Sequence, residues 1–314
     1  MGIIRSITKQ FGGTAKDRSV FGDDVAVFPV KTGKAVFKTD MLVEHTDVPP
    51  GMSYGQAARK AVAMCVSDFS AKGVRPHSFM VSIGVRRGVV QKEVNGLARG
   101  LSAAAREWEL NFVGGDTNES KELVIDCAML GFADRIVPRG GASPGDVLVV
   151  TGTFGLPPSG VEILVRGASA NPRYRRAAVR SVLEPTPDLE AGLALAPYLT
   201  SSMDSSDGLA RSVHTLAKAS GVGFEVSRLP MGEGVREFAL RNRLDPEKLV
   251  LEGGEEYLIV GTVRRSKLRS ASSAVRKAGG MLLEIGSATK EEEVVQTRAT
   301  GSRPILDLGW THLR

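Results

Sequence analysis

An α/β (α+β) protein of two domains is the fold that this sequence predicts, and three observations lead to it. Apolar runs typical of strands alternate with segments whose apolar residues recur at helical spacing. A chain of 314 residues exceeds one ordinary hydrophobic core and suits two domains of about 150 residues each. The turn-rich stretch 138–146 is the best boundary between them. We therefore expect one domain over 1–138 and another over 139–314.

The composition is that of an ordinary globular protein, with 42% hydrophobic and 24% charged residues. The 41 basic and 35 acidic residues are well mixed, and the densest basic run, 264–277, has the apolar spacing of a solvated helix, so we expect no nucleic-acid partner. No apolar run approaches the roughly 18 residues of a membrane helix. Cys65 and Cys127 lie in apolar surroundings that suit buried free thiols. We therefore expect a cytoplasmic protein without membrane contact.

In the first half, a strand over 35–38 leads into Thr39 and Asp40. A helix then opens at Ser53, because Gln56 follows at the spacing of a capping box. Its buried stripe comprises Ala57, Ala58, Ala61, Val62 and Cys65.

Asp68 stands near the C-terminal end of that predicted helix. A carboxylate there faces the negative end of the helix dipole, which costs roughly 0.3–1 kcal/mol unless a cation is near. Its position therefore favours a metal ligand.

The remaining elements follow in alternation. We expect a helix over 91–109 and a strand over 111–113 that ends at Gly114-Gly115-Asp116. The later elements are a strand over 123–130, a strand over 147–150, a helix near 161–165, a helix after 204–208 that closes at Ser220-Gly221, a strand leading into 253–256 and a strand over 258–261.

Six short acidic turns lie at the edges of apolar runs. They are Gly22-Asp23-Asp24, Thr39-Asp40, Ser67-Asp68, Gly114-Gly115-Asp116, Asp204-Ser205-Ser206-Asp207 and Gly253-Gly254-Glu255-Glu256. Carboxylates are the ligands that Mg²⁺ prefers, and neighbouring Gly or Ser allows backbone N–H groups to approach phosphate oxygens. A single turn of this kind is explained by the ordinary preference of Gly, Ser and Asp for turns and helix N-caps. Six together indicate a magnesium-phosphate site.

Other catalytic motifs are excluded. Residues 51–55 match the G-x-S-x-G nucleophile elbow, but that motif needs a preceding strand, and here Pro49 and Pro50 precede it. The sequence has no Walker A loop, no kinase H-R-D set and no zinc-ligand spacing.

Seven motifs, in order, resemble the thiamine-monophosphate kinase family over nearly the whole chain. They are Gly22 to Val27, Thr39 to Val43, Ser67-Asp68 with Gly73, Gly114 to Thr117, Pro144 to Gly152, Ser205 to Leu209 and Gly253 to Tyr257. The resemblance implies the fold of aminoimidazole ribonucleotide synthetase, with an N-terminal sheet domain that dimerises and a C-terminal α/β domain. It also implies phosphorylation of thiamine monophosphate by ATP, with several Mg²⁺ ions assisting.

Site residues are carried over from the resemblance onto matching positions. The metal ligands implied are Asp24, Thr39, Asp40, Asp68, Asp116, Asp204 and Asp207. The ATP contacts implied are Gly115, Asp116, Arg139, Ser206 and Lys60, and the substrate contacts are Asp47, Glu255 and Trp310. No acid–base catalytic residue is required, because the acceptor phosphate has a second pKa of about 6 and is already largely ionised.

The chain departs from the family pattern in three places, one of which is the C-terminal aromatic signature, where Trp310 is available. Asp47 stands where many members have a histidine, and Lys38 stands where a small hydroxyl residue is common. Two alternatives remain open. One is another ATP-dependent enzyme of the superfamily, of the aminoimidazole ribonucleotide synthetase, selenophosphate synthetase or hydrogenase maturation type, and the other is a nucleotide-binding regulator without activity.

Overall fold

The computed structural model describes residues 23–311, which form two β-sheets with packed helices. The strands are β1 Ala26–Pro29, β2 Lys34–Val43, β3 Pro76–Arg86, β4 Asn111–Ser120, β5 Val124–Ala133, β6 Val147–Val150, β7 Leu199–Ser205, β8 Gly223–Val226, β9 Leu258–Val263, β10 Leu283–Thr289, β11 Val294–Arg298 and β12 Gly301–Pro304. The helices are α1 Glu44–Asp47, α2 Tyr54–Lys72, α3 Gln91–Glu107, α4 Leu156–Arg166, α5 Pro172–Leu183, α6 Leu189–Leu195, α7 Leu209–Ser220, α8 Val235–Arg241, α9 Pro246–Leu251 and α10 Leu268–Lys277. Gly22, in the first acidic turn, lies outside the described residues.

The first sheet has the strand order β1-β2-β5-β3-β4 and is covered on one face by α2 and α3. The predicted capping box is confirmed, since Ser53 and Gln56 exchange side-chain and backbone hydrogen bonds at the start of α2. The two helices approach closely where Gly55 meets Gly100, because a Cβ on Gly100 would lie 2.0 Å from the Gly55 carbonyl oxygen. This packing holds α2 against the sheet and so fixes the position of the C-terminal end of α2.

The second sheet has the order β12-β11-β8-β10-β6-β9-β7. The expected boundary between 138 and 139 lies in the connection between Ala133, which ends β5, and Val147, which begins β6. A shared apolar cluster joins the two sheets, because Ala71 near the end of α2 packs with residues of β6, β7 and β9. The C-terminal end of α2 therefore lies between the sheets.

Several predicted turns and strands are wrong. Thr39 and Asp40 lie inside β2 rather than in a turn after it, and Ser67 and Asp68 lie inside α2. Strand β4 does not end before Gly114-Gly115-Asp116 but continues through it to Ser120, paired in parallel with β3. The segment before Gly253 is helix α9 rather than a strand, since Asp245 caps it and Pro246 occupies its first turn. In β4 and α9 the local pattern of apolar residues was misleading. Pairing with β3 decided the length of β4, and capping by Asp245 decided that the second segment is a helix.

Candidate active site

Three buried carboxylates, Asp24, Asp68 and Asp204, meet where the two sheets join. One oxygen from each lies within 4.8 Å of the other two. Asp24 precedes β1, Asp68 lies in the last turns of α2, and Asp204 lies near the end of β7. We call these three residues the acid cluster. They come from both halves of the chain, so the cluster exists only when the halves are packed together.

The acid cluster carries strong like-charge repulsion. Burial and then the neighbouring Asp204 carboxylate raise the pKa of Asp68 well above its usual value. Burial and then Asp24 raise the pKa of Asp204 to about 6. The Ser67 hydroxyl opposes that second shift by donating a 2.8 Å hydrogen bond to Asp204. Buried oxygens in this arrangement are a donor set that fits Mg²⁺, which takes hard oxygen ligands.

Asp24 differs from the other two because cations surround it. Lys72 Nζ lies 2.6 Å from Asp23 Oδ1 and 2.7 Å from Asp24 Oδ2, and Arg139 Nε donates to Asp24 Oδ1 at 2.7 Å. Burial alone would raise the pKa of Asp24, but Lys72 and Arg139 outweigh it and hold that pKa below its usual value. Lys72 is fully buried and also donates to the Ser202 carbonyl oxygen at 2.7 Å.

Lys38 and Asp40, on β2, approach the acid cluster from the first sheet. Lys38 Nζ lies 2.6 Å from Asp68 Oδ2 and 3.4 Å from Asp40 Oδ1. Burial opposes the charge on Lys38, yet Asp68 and Asp40 raise the pKa of its ammonium group. Lys38 thus contacts the acid cluster directly.

Thr39 and Asp116 are exposed on strands of the first sheet, unlike the buried acid cluster. The Thr39 hydroxyl donates to Asp126 Oδ1 at 2.7 Å, and the side chain of Thr39 is exposed. Asp116 is exposed on the edge strand β4, where its carboxylate accepts the amide of Thr117 at 2.8 Å. The adjacent Gly115 is required by packing, since a Cβ there would lie 1.9 Å from the Val81 carbonyl oxygen.

A second group of predicted residues is held together by Lys60. This lysine is 1% exposed, and its Nζ lies 2.6 Å from Glu255 Oε2 and 2.9 Å from the Asp47 carbonyl oxygen. The amide of Glu255 in turn donates to the Ser206 carbonyl oxygen at 2.8 Å. Lys60 therefore links Asp47, Glu255 and Ser206, which the sequence assigned separately to ATP and acceptor.

The carboxylate of Asp47 serves the local turn. Its Oδ2 accepts the Val43 amide at 2.8 Å and the Thr46 hydroxyl at 2.9 Å. If Asp47 also binds a substrate, its carboxylate does so while it accepts these two hydrogen bonds in the turn.

Asp207 and Trp310 are brought together near the end of the described chain. The Trp310 amide donates to the Asp207 carbonyl oxygen at 3.0 Å, and the indole is 51% exposed. Close packing accompanies this bond, because a Cβ on Gly309 would lie 2.3 Å from the same oxygen. The C-terminal segment thus covers the loop between β7 and α7.

Sequence reasoning did not assign Lys72 or Ser67 to the site. Lys72 ends α2 one turn after Asp68, so it lies on the same helix face. That spacing was a usable signal, whereas the contact between Ser67 and Asp204 spans 137 positions and has no local signature.

Comparisons with known proteins place this chain in a family. The family described as AIR synthase related protein, N-terminal domain, matches residues 22–133. A thiamine-monophosphate kinase of Nitrosopumilus maritimus is 36% identical over 292 residues, covering 93% of each chain. The chain belongs to the thiamine-monophosphate kinase family. A second family member, from Pyrococcus horikoshii, is 32% identical and covers 99% of this chain and 95% of its own.

Solved structures of the family have the same fold. AaThiL complexed with AMPPCP and TMP superposes with a TM-score of 0.88 at 26% identity, covering 99% of this chain and 96% of that chain. The thiamine monophosphate kinase of Aquifex aeolicus gives 0.82 at 26% identity, covering 94% and 96%. Hydrogenase maturation protein HypE of E. coli, at 20% identity and a TM-score of 0.73, covers 99% of this chain and 98% of that chain and shares the fold alone. The predicted two-domain fold of the superfamily is confirmed.

Proposed function

We propose that this protein transfers the γ-phosphate of ATP directly, in line, to the phosphate of thiamine monophosphate. Its family relatives carry the name of that activity, and the solved AaThiL is a complex with AMPPCP and TMP. The observation that carries the proposal is the acid cluster, because a phosphoryl-transfer site between two anions needs charge neutralisation and positioning more than acid–base groups.

The acid cluster residues Asp24, Asp68 and Asp204 would hold Mg²⁺, with Asp40 beside them. Bound Mg²⁺ supplies neutralisation of the phosphate oxygens and orientation of donor and acceptor. Thr39, Asp116 and Asp207 are carried over as further ligands from the family resemblance. Asp116 is exposed on β4 and so remains accessible to a nucleotide bound at the edge of the first sheet.

The chain's own groups would bind the two substrates. We assign ATP contacts to Gly115, Arg139, Ser206 and Lys60, with Asp116. Lys60 supplies an ammonium group that is already ordered by Glu255 and the Asp47 carbonyl oxygen, so it can receive a phosphate without losing further side-chain freedom.

We assign the cationic thiazolium ring of the acceptor to the surroundings of Asp47, Glu255 and Trp310. Glu255 is half-buried and Trp310 offers an exposed ring face. A carboxylate and an aromatic face are both chemically suited to a cationic ring.

The alternatives predict different substrates or none. A non-catalytic regulator would carry a buried group of like charges without use, and such a group costs stability. Another superfamily enzyme would turn over ATP with a different acceptor.

A coupled ADP-release assay separates these possibilities. The acceptors to compare are thiamine monophosphate, thiamine, hydroxymethylpyrimidine phosphate and an aminoimidazole precursor, each with ATP and Mg²⁺. We expect ADP release with thiamine monophosphate alone. Release with another acceptor would indicate a different enzyme of the superfamily, and no release with any would support a regulator.

We also propose a homodimer that forms through the uncovered face of the first sheet. Large apolar side chains are exposed on that face. The face of a sheet that contacts water normally carries polar side chains instead. They include Phe28 at 48%, Phe37 at 44%, Met41 at 56%, Met80 at 48% and Phe132 at 52% exposed. A second copy of the same face is the partner that the family resemblance implies.

Sedimentation of a charge variant tests the dimer. Met41→Lys should shift the protein from dimer to monomer, because it places a charge on the apolar face. Met281→Lys is the matched control, since Met281 is 52% exposed but lies outside the first sheet. A wild-type monomer, or a Met41→Lys protein that stays dimeric, would contradict the proposal.

The two cysteines fit a reducing compartment. Cys65 and Cys127 are both buried and free. We propose the cytoplasm as the place where the enzyme acts. Within residues 23–311, no helix combines the length and hydrophobicity needed to span a bilayer.

A further inference from the structure

Lys38 places a permanent positive charge among the site carboxylates. Its Nζ lies 2.6 Å from Asp68 Oδ2 and 3.4 Å from Asp40 Oδ1, and its side chain is 20% exposed. The lysine reaches this position from the middle of β2, whose register with β5 is continuous from Lys34 to Val43. The strand therefore holds the ammonium group at the cluster by regular pairing rather than by a loop.

We propose that Lys38 occupies one of the cation positions of the site, so that this protein binds one divalent ion fewer than the same site would without the lysine. This inference rests on the proposed function, in which the carboxylates gather divalent ions around ATP.

The position of the ammonium group excludes an ion from the same place. A Mg²⁺ ion binds a carboxylate oxygen at about 2.1 Å, and the Lys38 ammonium already takes Asp68 Oδ2 at hydrogen-bond distance. Two cations on one oxygen would repel each other strongly in a buried setting. Either the lysine or an ion can therefore hold that oxygen.

The charges in the site agree with a reduced need for ions. Asp23 and Asp24 are already compensated by Lys72 and Arg139, two carboxylates by two cations. Asp40, Asp68 and Asp204 then face one ammonium group, that of Lys38. Two uncompensated negative charges remain, which is the charge of one divalent ion.

A purely structural role for Lys38 makes a different prediction. If the Lys38 ammonium only neutralised the Asp68 carboxylate in the absence of divalent ions, it would leave that carboxylate when the ions bind. The wild type and a Lys38 variant would then bind the same number of ions. The number of bound ions thus separates the two roles without any reference to activity.

The test counts Mn²⁺ bound per chain, from the electron paramagnetic resonance signal of free Mn²⁺, with AMPPCP as a nucleotide that cannot transfer its phosphate. Lys38→Ser should bind one more Mn²⁺ per chain than the wild type. Lys34→Ser is the matched control, because it removes the same charge from the same strand four residues away, and it should bind as many ions as the wild type. Lys38→Gln, which removes the charge but keeps a polar side chain only one atom shorter, replaces Lys38→Ser if the latter fails to fold.

Equal Mn²⁺ counts in the wild type and the folded Lys38 variant would overturn the inference while leaving the kinase proposal intact. A wild type that binds no Mn²⁺ with AMPPCP would overturn both the inference and the metal-assisted part of the proposed function.

Discussion

The Ser67 hydroxyl donates a 2.8 Å hydrogen bond to the Asp204 carboxylate, and this contact joins the two halves of the chain inside the acid cluster. Ser67 belongs to α2, which packs on the first sheet, and Asp204 belongs to β7 of the second sheet. Both side chains are buried. The site is therefore assembled by the packing of two sheets rather than by one local motif.

Asp204→Asn should abolish turnover without harming the fold. The asparagine retains an oxygen that can accept the Ser67 hydrogen bond, but it removes one of the mutually repelling charges. We expect the Tm measured in EDTA to stay unchanged or rise, and kcat to fall by about a hundredfold or more. A clear loss of Tm in EDTA would mark Asp204 as structural instead.

Asp47→Asn tests the acceptor side. Asparagine can still accept the Val43 amide, so the turn should remain, whereas the charge that would attract the thiazolium ring is lost. We expect a higher KM for thiamine monophosphate and a nearly unchanged KM for ATP in steady-state kinetics. If both KM values equal those of the wild type, Asp47 serves only the turn.

Lys72→Met should destabilise the protein strongly. The fully buried ammonium contacts Asp23, Asp24 and the Ser202 carbonyl oxygen, and removing one partner of a buried ion pair costs about 3–5 kcal/mol. Urea unfolding of the metal-free protein measures this loss. Lys277→Met, at an exposed position of α10, should change the free energy of unfolding by no more than about 0.5 kcal/mol. Equal effects of the two substitutions would contradict the role of Lys72.

Glu256 should make stability fall as pH rises. Burial raises its pKa from 4.5 to about 8, although its carboxylate accepts the Gly155 amide at 2.5 Å. Between those two values the folded protein holds a proton that the unfolded chain has released. The contribution is therefore complete below about pH 4.5 and lost as pH approaches 8, with a slope of up to about 1.4 kcal/mol per pH unit.

Glu256→Gln keeps the acceptor for Gly155 and removes the titration. In urea unfolding at pH 5, 6, 7 and 8, the variant should gain stability relative to the wild type at each step of rising pH. Glu292→Gln, at an exposed position, should follow the wild type. A constant difference between Glu256→Gln and the wild type at all four pH values would refute the shifted pKa.

The parts of this structure that could be predicted from sequence depend on local chemistry. The capping box at Ser53 and the glycine that ends α7, Gly221, were recognisable because capping needs a few neighbouring residues. The ordered acidic motifs likewise pointed to the carboxylates of the cluster.

The parts that could not be predicted depend on distant pairing. Strand β4 continues through Asp116 because it pairs with β3 over its whole length. The local sequence of residues 114–120 does not predict this strand. Lys60 contacts Glu255 across nearly two hundred positions of sequence. Contacts of this kind arise only when the two sheets pack.

The most direct test of the central claim follows the phosphate itself. The protein, ATP labelled at its γ-phosphate, thiamine monophosphate and Mg²⁺ are incubated together, and the products are separated by chromatography. We expect labelled thiamine diphosphate, formed in amounts equal to ADP and lost when EDTA removes Mg²⁺. The proposed kinase activity is refuted if the folded protein yields no labelled thiamine diphosphate with ample Mg²⁺, or if it releases ADP without forming labelled thiamine diphosphate.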